Sequence, residues 1–268
     1  MKTPPSQVSK KQATLISRVE VVCIARQEDS YIEEWAEYNL KLGFDHLTVY
    51  DNGLTLDWLP SRFPGQITVV PWPGVAQQLP AYNNFLARRG DENLWAAVID
   101  VDEFIVLRRH LDVKTLIRDC CAERSGALAI NWVFFGSNGH LVQTPQLVTQ
   151  RFTRRGVGID QHVKCIVYIP HAVSMGIHCP ILKTGYVQHD CEQRVFIGPF
   201  NKAGNQVIAR INHYFTKSLA EFRHKVARGK ADCLSMRSIS EFAYHDQNDV
   251  EDTDAIDFFT FGQREKRV

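Results

Sequence analysis

The run Val19–Ala25 is apolar but for Glu20. A strand of that kind has no polar face to offer water, so it belongs inside a sheet covered on both sides. The residues before it, 1–17, are polar, carry Pro4 and Pro5, and read as a loose tail. Beyond Ala25 the chain alternates between the two periods of regular structure. Ser30-x-x-Glu33 reads as a capping box, opening a helix that buries Ile32, Trp35, Ala36 and Leu40 and stops at Gly43. His46–Tyr50 and Ile67–Trp72 read as strands, with Asp51-Asn52-Gly53 a turn after the first. Pro80 suits the first turn of a second helix, and Leu94–Ile99 is a fourth strand entering Asp100-Val101-Asp102-Glu103. This order predicts an α/β fold, a Rossmann-like, mixed but mostly parallel sheet flanked by helices.

The later half is less regular. Ala127–Phe135, Gln150–Thr153, Val163–Ile169, Gly185–Gln188 and Val207–Phe215 read as strands, and Ser218-x-x-Glu221 caps a helix ending at Gly229. Residues 262–268 read as a frayed end. A chain of 268 residues with no repeat is expected to form one domain over 18–268.

Charge and cysteine usage narrow the function. A net charge of +1 gives no basic field for nucleic acid, and Arg151, Arg154 and Arg155 form only a short cluster that could meet an anionic surface. The seven cysteines sit mostly in apolar runs and include no C-x-x-C pair, so buried thiols are expected rather than a disulfide framework or a zinc module. Met1–Thr14 lacks the apolar core of a signal peptide, and no stretch is long and apolar enough to span a bilayer. The location expected is the cytoplasm, with room for peripheral contact at the inner membrane face.

In sheets of the predicted kind, ligands collect beyond the carboxyl ends of the strands. Three such ends carry polar clusters: Arg26 with Glu28, Asp51 with Asn52, and Asp100 with Asp102. Carboxylates at i and i+2 can hold Mn2+ or Mg2+ through oxygen, and such an ion acts as a Lewis acid on a departing diphosphate. The bare pattern is short, and only its place at a strand end gives it weight. Gly136-Ser137-Asn138-Gly139-His140 is a small-residue loop that would let a substrate approach the backbone closely.

Several blocks, in order, carry a more specific likeness. They are Cys23–Glu28 with Tyr31–Trp35, Gly43-Phe44, Val49–Asn52, Asp100–Phe104, Trp132–His140, and Asn212–Ser218 followed by Glu221-Phe222, Lys225 and Arg228-Gly229. Together they resemble glycosyltransferase family 92 and the family 2-like enzymes of GT-A fold. The resemblance implies an inverting transfer from a nucleoside-diphosphate sugar, UDP-sugars favoured, to a glycan or lipid-linked acceptor, as in surface polysaccharide or lipopolysaccharide synthesis. It implies a nucleotide- and metal-binding half over 18–110 and an acceptor half over 111–262. Arg26, Glu28, Asp51 and Asn52 would frame the nucleoside, Asp100 and Asp102 would serve ribose and metal, and His213 would be a third metal ligand. Lys217 and Lys225, with the helix start beside them, would meet the diphosphate. The departure is Ala25-Arg26-Gln27-Glu28 where the family often has Lys-Asn-Glu, which loosens any inference about base and sugar. For the general base His140, Asp190 and, behind them, Asp232 are the candidates. Two competing readings stand. A sugar nucleotidyltransferase needs a glycine-rich loop after the first strand, and residues 26–30 hold no glycine. A silent nucleotide- or carbohydrate-binding module would have no use for the acidic pair.

Overall fold

The computed structural model describes residues 16, 18–230, 233, 235 and 237–262. Asp232 and most of both terminal tails lie outside them. In chain order the elements are β1 (Val19–Ala25), α1 (Ile32–Lys41), β2 (His46–Asp51), α2 (Leu59–Arg62), β3 (Ile67–Pro71), α3 (Gln78–Arg89), β4 (Trp95–Val98) and β5 (Glu103–Leu107). Then come α4 (Val113–Cys120), β6 (Ser125–Phe134), α5 (Val148–Arg151), β7 (Arg154–Arg155), β8 (Val163–Tyr168), β9 (Ala172–Ser174) and β10 (Ile181–Leu182). The last are β11 (Val187–His189), β12 (Ala209–His213), α6 (Leu219–Arg228), α7 (Ser240–His245), β13 (Val250–Glu251) and α8 (Asp254–Phe261).

The central sheet runs β3-β2-β1-β4-β8-β6-β12-β5, with β11 beside β6. Its first four strands are parallel; β8 and β5 run against their neighbours, and β11 and β12 run parallel to β6. The expected mixed, mostly parallel α/β sheet is therefore present. Every residue of β1 is buried, because both faces are covered. Val19, Val21 and Cys23 share a core with Trp35 and Tyr38 of α1 and with α4 and α8. Val22 and Ile24 share the opposite core with Tyr82 and Phe85 of α3.

The link from β4 to β5 shapes the sheet. These strands are four places apart in the order, which in a flat sheet is ~19 Å. Only residues 99–102 join them, a reach of ~18 Å if fully extended, and they are not extended: the Glu103 N–H donates to the Asp100 carbonyl at 3.0 Å. The sheet must therefore roll up. The roll runs through the ten-residue β6, which pairs with β11 along its first half and with β12 along its second. Two ring donors of α1 fix the returning β5: Trp35 Nε1 donates to the Glu103 carbonyl at 3.1 Å and Tyr38 Oη to the Ile105 carbonyl at 2.9 Å.

Several local expectations differ from what is seen. Ser30 makes no capping bond; α1 starts after Tyr31, Glu33 reaches Arg62 at 2.6 Å instead, and Tyr38 and Asn39 rather than Leu40 complete the buried face. The strand expected at Gln150–Thr153 is the one-turn helix α5, because buried Glu34 accepts from the N–H groups of Val148 and Thr149 at 2.6 and 3.0 Å and so caps its start. The basic cluster is not a surface patch. Arg151 and Arg155 are buried and paired with Glu221 and Asp252, and Arg154 donates to the carbonyls of Asn248 and Asp249.

The Gly136–His140 loop is filled by the chain itself. Asp246 and Asn248, after α7, accept from the N–H groups of Ser137 and Asn138 at 2.6 and 2.8 Å. A Cβ on Gly136 would stand 2.5 Å from the Gln247 carbonyl oxygen. Close backbone approach is what this glycine permits, and the partner is the strap 246–248 rather than a substrate.

Gly136→Ala should cost about 1–3 kcal/mol and speed amide exchange at Ser137 and Asn138. Unchanged exchange would break the link between loop and strap. A second test concerns Glu221. Burial by itself would raise its carboxyl; hydrogen bonds from Arg151, Ser218 and Tyr31 outweigh this and hold it at about 2. The resulting stabilisation, about 3 kcal/mol, is complete above the unfolded value near 4.5 and is lost as pH falls toward 2. The urea-stability gap between wild type and Glu221→Gln should thus be wide at pH 7 and narrow at pH 3; an equal gap at both would refute the linkage.

Candidate functional site

The carboxyl ends of β1, β4, β6 and β12 point the same way, since β4 and β6 each run against β8. Between them opens a cleft of about 400 Å³ lined by Arg26, Glu28, Asp100, Asp102, His213 and Lys225, among others. The roll of the sheet brings the β4–β5 turn and the end of β12 together: the Tyr214 N–H donates to the Asp102 carbonyl at 2.9 Å.

The two aspartates sit in different settings. Asp100 is anchored at three points, by Lys164 Nζ on Oδ2 at 2.9 Å and by Gln78 Nε2 and Tyr82 Oη on Oδ1 at 2.9 and 3.1 Å. Burial tends to raise its carboxyl, but the Lys164 ammonium prevails and holds it below the usual carboxylate value. Asp102 is buried and gives Oδ2 to Lys225 Nζ at 2.5 Å, while Oδ1 faces His213 Nε2 at 3.6 Å. Here too burial is overcome, by Lys225 and then His213, and the carboxyl lies well below its ordinary value. Glu103, beneath them, takes the Asp100 N–H on Oε2, and burial pushes it well up. Burial lowers His213 despite Asp102 beside it, which leaves the imidazole neutral at pH 7, the form that ligates metals. Burial also drives Lys225 down to about 8.

A divalent ion fits this donor set in part. Among the described residues no group of three His, Cys, Asp or Glu side chains converges to cage one. The expected trio of Asp100, Asp102 and His213 is not formed, because Lys164, Gln78 and Tyr82 occupy Asp100. Asp102 Oδ1 and His213 Nε2 do face one another with no closer partner. Two protein donors suffice for an ion that completes its shell with phosphate oxygens and water.

The cleft also holds side-chain atoms that are buried and, among the described residues, lack a hydrogen-bond partner: Glu28 Oε2, Trp132 Nε1, His213 Nδ1, Arg237 Nε and His245 Nδ1. Such atoms are scarce in folded proteins, and five along one cleft point to a polar ligand that would complete them. Burial holds His178 and His245 down at about 4, so both imidazoles are neutral.

Other expected residues lie elsewhere. Asp51 organises its own turn, accepting from the N–H groups of Gly53 and Leu56 at 3.0 and 2.8 Å. The Asn52 amide donates to the carbonyls of Trp72 and Gly74. Asp190 is buried outside the cleft and saturated by the Glu192 and Arg194 N–H groups, the Arg194 guanidinium and Asn201. His140 is absent from the cleft wall as well; its carbonyl accepts from the N–H of Leu219 at 3.1 Å, and the Leu141 carbonyl takes that of Ala220. Those bonds consume the free amides of α6, so this helix start holds no donors for a diphosphate. Lys217 lines a neighbouring cavity instead.

Sequence reading missed Lys164, Gln78 and Tyr82, the anchors of Asp100, and Trp132 and Arg237 on the cleft wall. Lys164 alone gave a signal: it is the one charge inside an apolar strand.

A structure of 4-diphosphocytidyl-2C-methyl-D-erythritol synthase aligns with TM-score 0.34 and 17% identity over 58% of this chain and 76% of that one. CTP:phosphocholine cytidylyltransferase from Streptococcus pneumoniae aligns with TM-score 0.28 and 14% identity over 56% and 68%. A glycosyltransferase family 92 protein of Oryza sativa subsp. japonica is 24% identical over 152 residues, 53% of this chain; the match spans only 25% of the rice protein. The family model described as glycosyltransferase family 92 matches residues 20–199. That match takes in β1 through β11 and both aspartates, and on it the chain belongs to glycosyltransferase family 92.

Proposed function

We propose that the cleft binds a nucleoside-diphosphate sugar, with uridine the favoured base, and transfers its sugar to a hydroxyl of a glycan or lipid-linked acceptor. One observation carries this reading: a buried carboxylate, a neutral imidazole and an ammonium, Asp102, His213 and Lys225, meet at the strand ends of a family 92 chain. Asp102 Oδ1 and His213 Nε2 would hold a divalent ion, which supplies positive charge against the diphosphate. Lys225 adds a second charge, fixed in place by Asp102 and by the Phe215 carbonyl at 3.0 Å. Preorganised charge of this kind stabilises a leaving group without reorganisation in the transition state. Arg26 and Asp100, which line the same cleft, would face the nucleoside.

In the transfer the acceptor oxygen forms a bond to the anomeric carbon on the face opposite the diphosphate. The bond from that carbon to the phosphoryl oxygen breaks, its electron pair leaves with the diphosphate, and the hydroxyl proton passes to a carboxylate. Glu28 is the base this geometry favours. It borders both the cleft and the neighbouring cavity, its Oε1 is held by Arg228, and its Oε2 has no hydrogen-bond partner among the described residues.

A thermal-shift screen of UDP-, GDP-, CMP- and dTDP-sugars with and without Mn2+ tests the donor site. One nucleotide should stabilise the protein in a metal-dependent way, and Asp102→Asn should abolish that shift and lower transfer by about 10²–10³. Asn serves better than Ala because, although both remove the counter-charge, its amide oxygen can still accept a hydrogen bond from Lys225 and leaves no cavity. No shift with any donor would sink the reading. Glu28→Gln should keep the nucleotide shift but reduce kcat by about 10²–10⁴; a variant with full turnover removes Glu28 as the base.

A further inference from the structure

A second cavity, of about 280 Å³, adjoins the cleft and shares with it Glu28, Phe215, Lys225 and Arg228 as a common wall. Its remaining lining includes Tyr31, Gln143, Lys217, Glu221 and His224; the Tyr31 hydroxyl already donates to Glu221, and the Gln143 amide is a group of the sort that meets sugar hydroxyls.

The charges around it are matched, with one exception. Asp102 pairs with Lys225, Glu28 with Arg228, and Glu221 with Arg151 through two bonds of 2.9 Å. Lys217 is only 4% exposed, yet among the described residues its ammonium has no carboxylate partner and no hydrogen bond. Its neighbour is the Tyr31 ring, 4.3 Å from Nζ to the centroid. The ammonium borders the cavity, where the ring face and the more distant Asp102 carboxylate attract it but, among the described residues, none forms an ion pair with it. The backbone is distinctive too: Lys217 has φ +50, a left-handed conformation unusual for a residue with a side chain. The chain thus holds a residue of unusual backbone conformation at this wall, its ammonium bordering the cavity and not ion-paired among the described residues. The adjacent helix start supplies no alternative anion site, since the N–H groups of Leu219 and Ala220 are already bonded to the His140 and Leu141 carbonyls.

We propose that this second cavity is the acceptor subsite and that it selects a sugar bearing one anionic group, a carboxylate or a phosphate, placed against the Lys217 ammonium. The assignment to the acceptor rests on the donor occupying the first cleft. An acceptor in the second cavity then meets the donor across the shared wall, where Glu28 stands.

The test compares wild type with Lys217→Met, which keeps the length of the side chain and removes the charge; an unchanged Tm shows that the fold persists. Binding is read by ligand-observed NMR with UDP and Mn2+ present. The probes are methyl glucuronide and methyl galacturonide, their neutral glucoside and galactoside counterparts, and glucose and galactose 6-phosphates. Acidic probes should bind wild type about tenfold or more tightly than neutral ones, and Lys217→Met should erase that preference while UDP affinity stays the same. Whether carboxylates or phosphates bind better identifies the natural group. Equal binding of acidic and neutral probes by wild type overturns the proposal, as does a preference that survives in Lys217→Met. So does a fall in UDP affinity in that variant, which would give Lys217 to the donor diphosphate. If no nucleotide binds but acidic probes still bind through Lys217, the anionic sugar subsite stands and the donor assignment falls.

Discussion

Four residues bridging four strand spacings are the constraint on which the architecture depends. Because 99–102 cannot cross a flat sheet, the strands roll until the ends of β4 and β12 converge on Asp102. The turn that carries the acidic pair is thus also the turn that bends the sheet around it. Ring donors of α1 fix its exit strand, and Glu103 below binds the Asp100 amide. Backbone and functional side chains are specified by the same short segment.

Each acid of the cleft has its own cation. Lys164 lies closest to Asp100 and Lys225 to Asp102, so each carboxylate remains ionised although desolvation opposes it. Buried pairs contribute little to net stability, since desolvation offsets most of the attraction. What they provide is position. Asp102 keeps one oxygen directed at His213 because the other is tethered, and a site whose charges are fixed before the ligand arrives loses less on binding.

Much of the frame could be read from residue patterns. Val19–Ala25 appears as β1 to the residue, and Ser218 and Glu221 form the capping box expected of them. Local chemistry dictates those features. The failures have a common origin in long-range contacts. Glu33 meets Arg62 rather than closing a box with Ser30, and Gln150 and Arg151 are helical because Glu34 caps α5. The wall of the cleft was hard to foresee for the same reason. Lys164 lies 64 residues from the aspartate it holds, and Trp132 read as core because strand periodicity does not distinguish a side chain facing other side chains from one facing a ligand. Asp51, Asn52 and Asp190 bond to their own turns or neighbouring loops, which residue type alone does not separate from ligand binding, since both occur at the ends of strands.

The Gly136–His140 loop is a junction between parts that do separate work. Its amides hold the strap that follows α7, and α7 brings Glu241 and His245 to the cleft. Its far end, through the His140 and Leu141 carbonyls, seats the start of α6, from which Lys225 and Arg228 project. A change in this loop would shift both at once. Gln143, just beyond the junction on the wall of the second cavity, can by contrast change without touching either of those contacts.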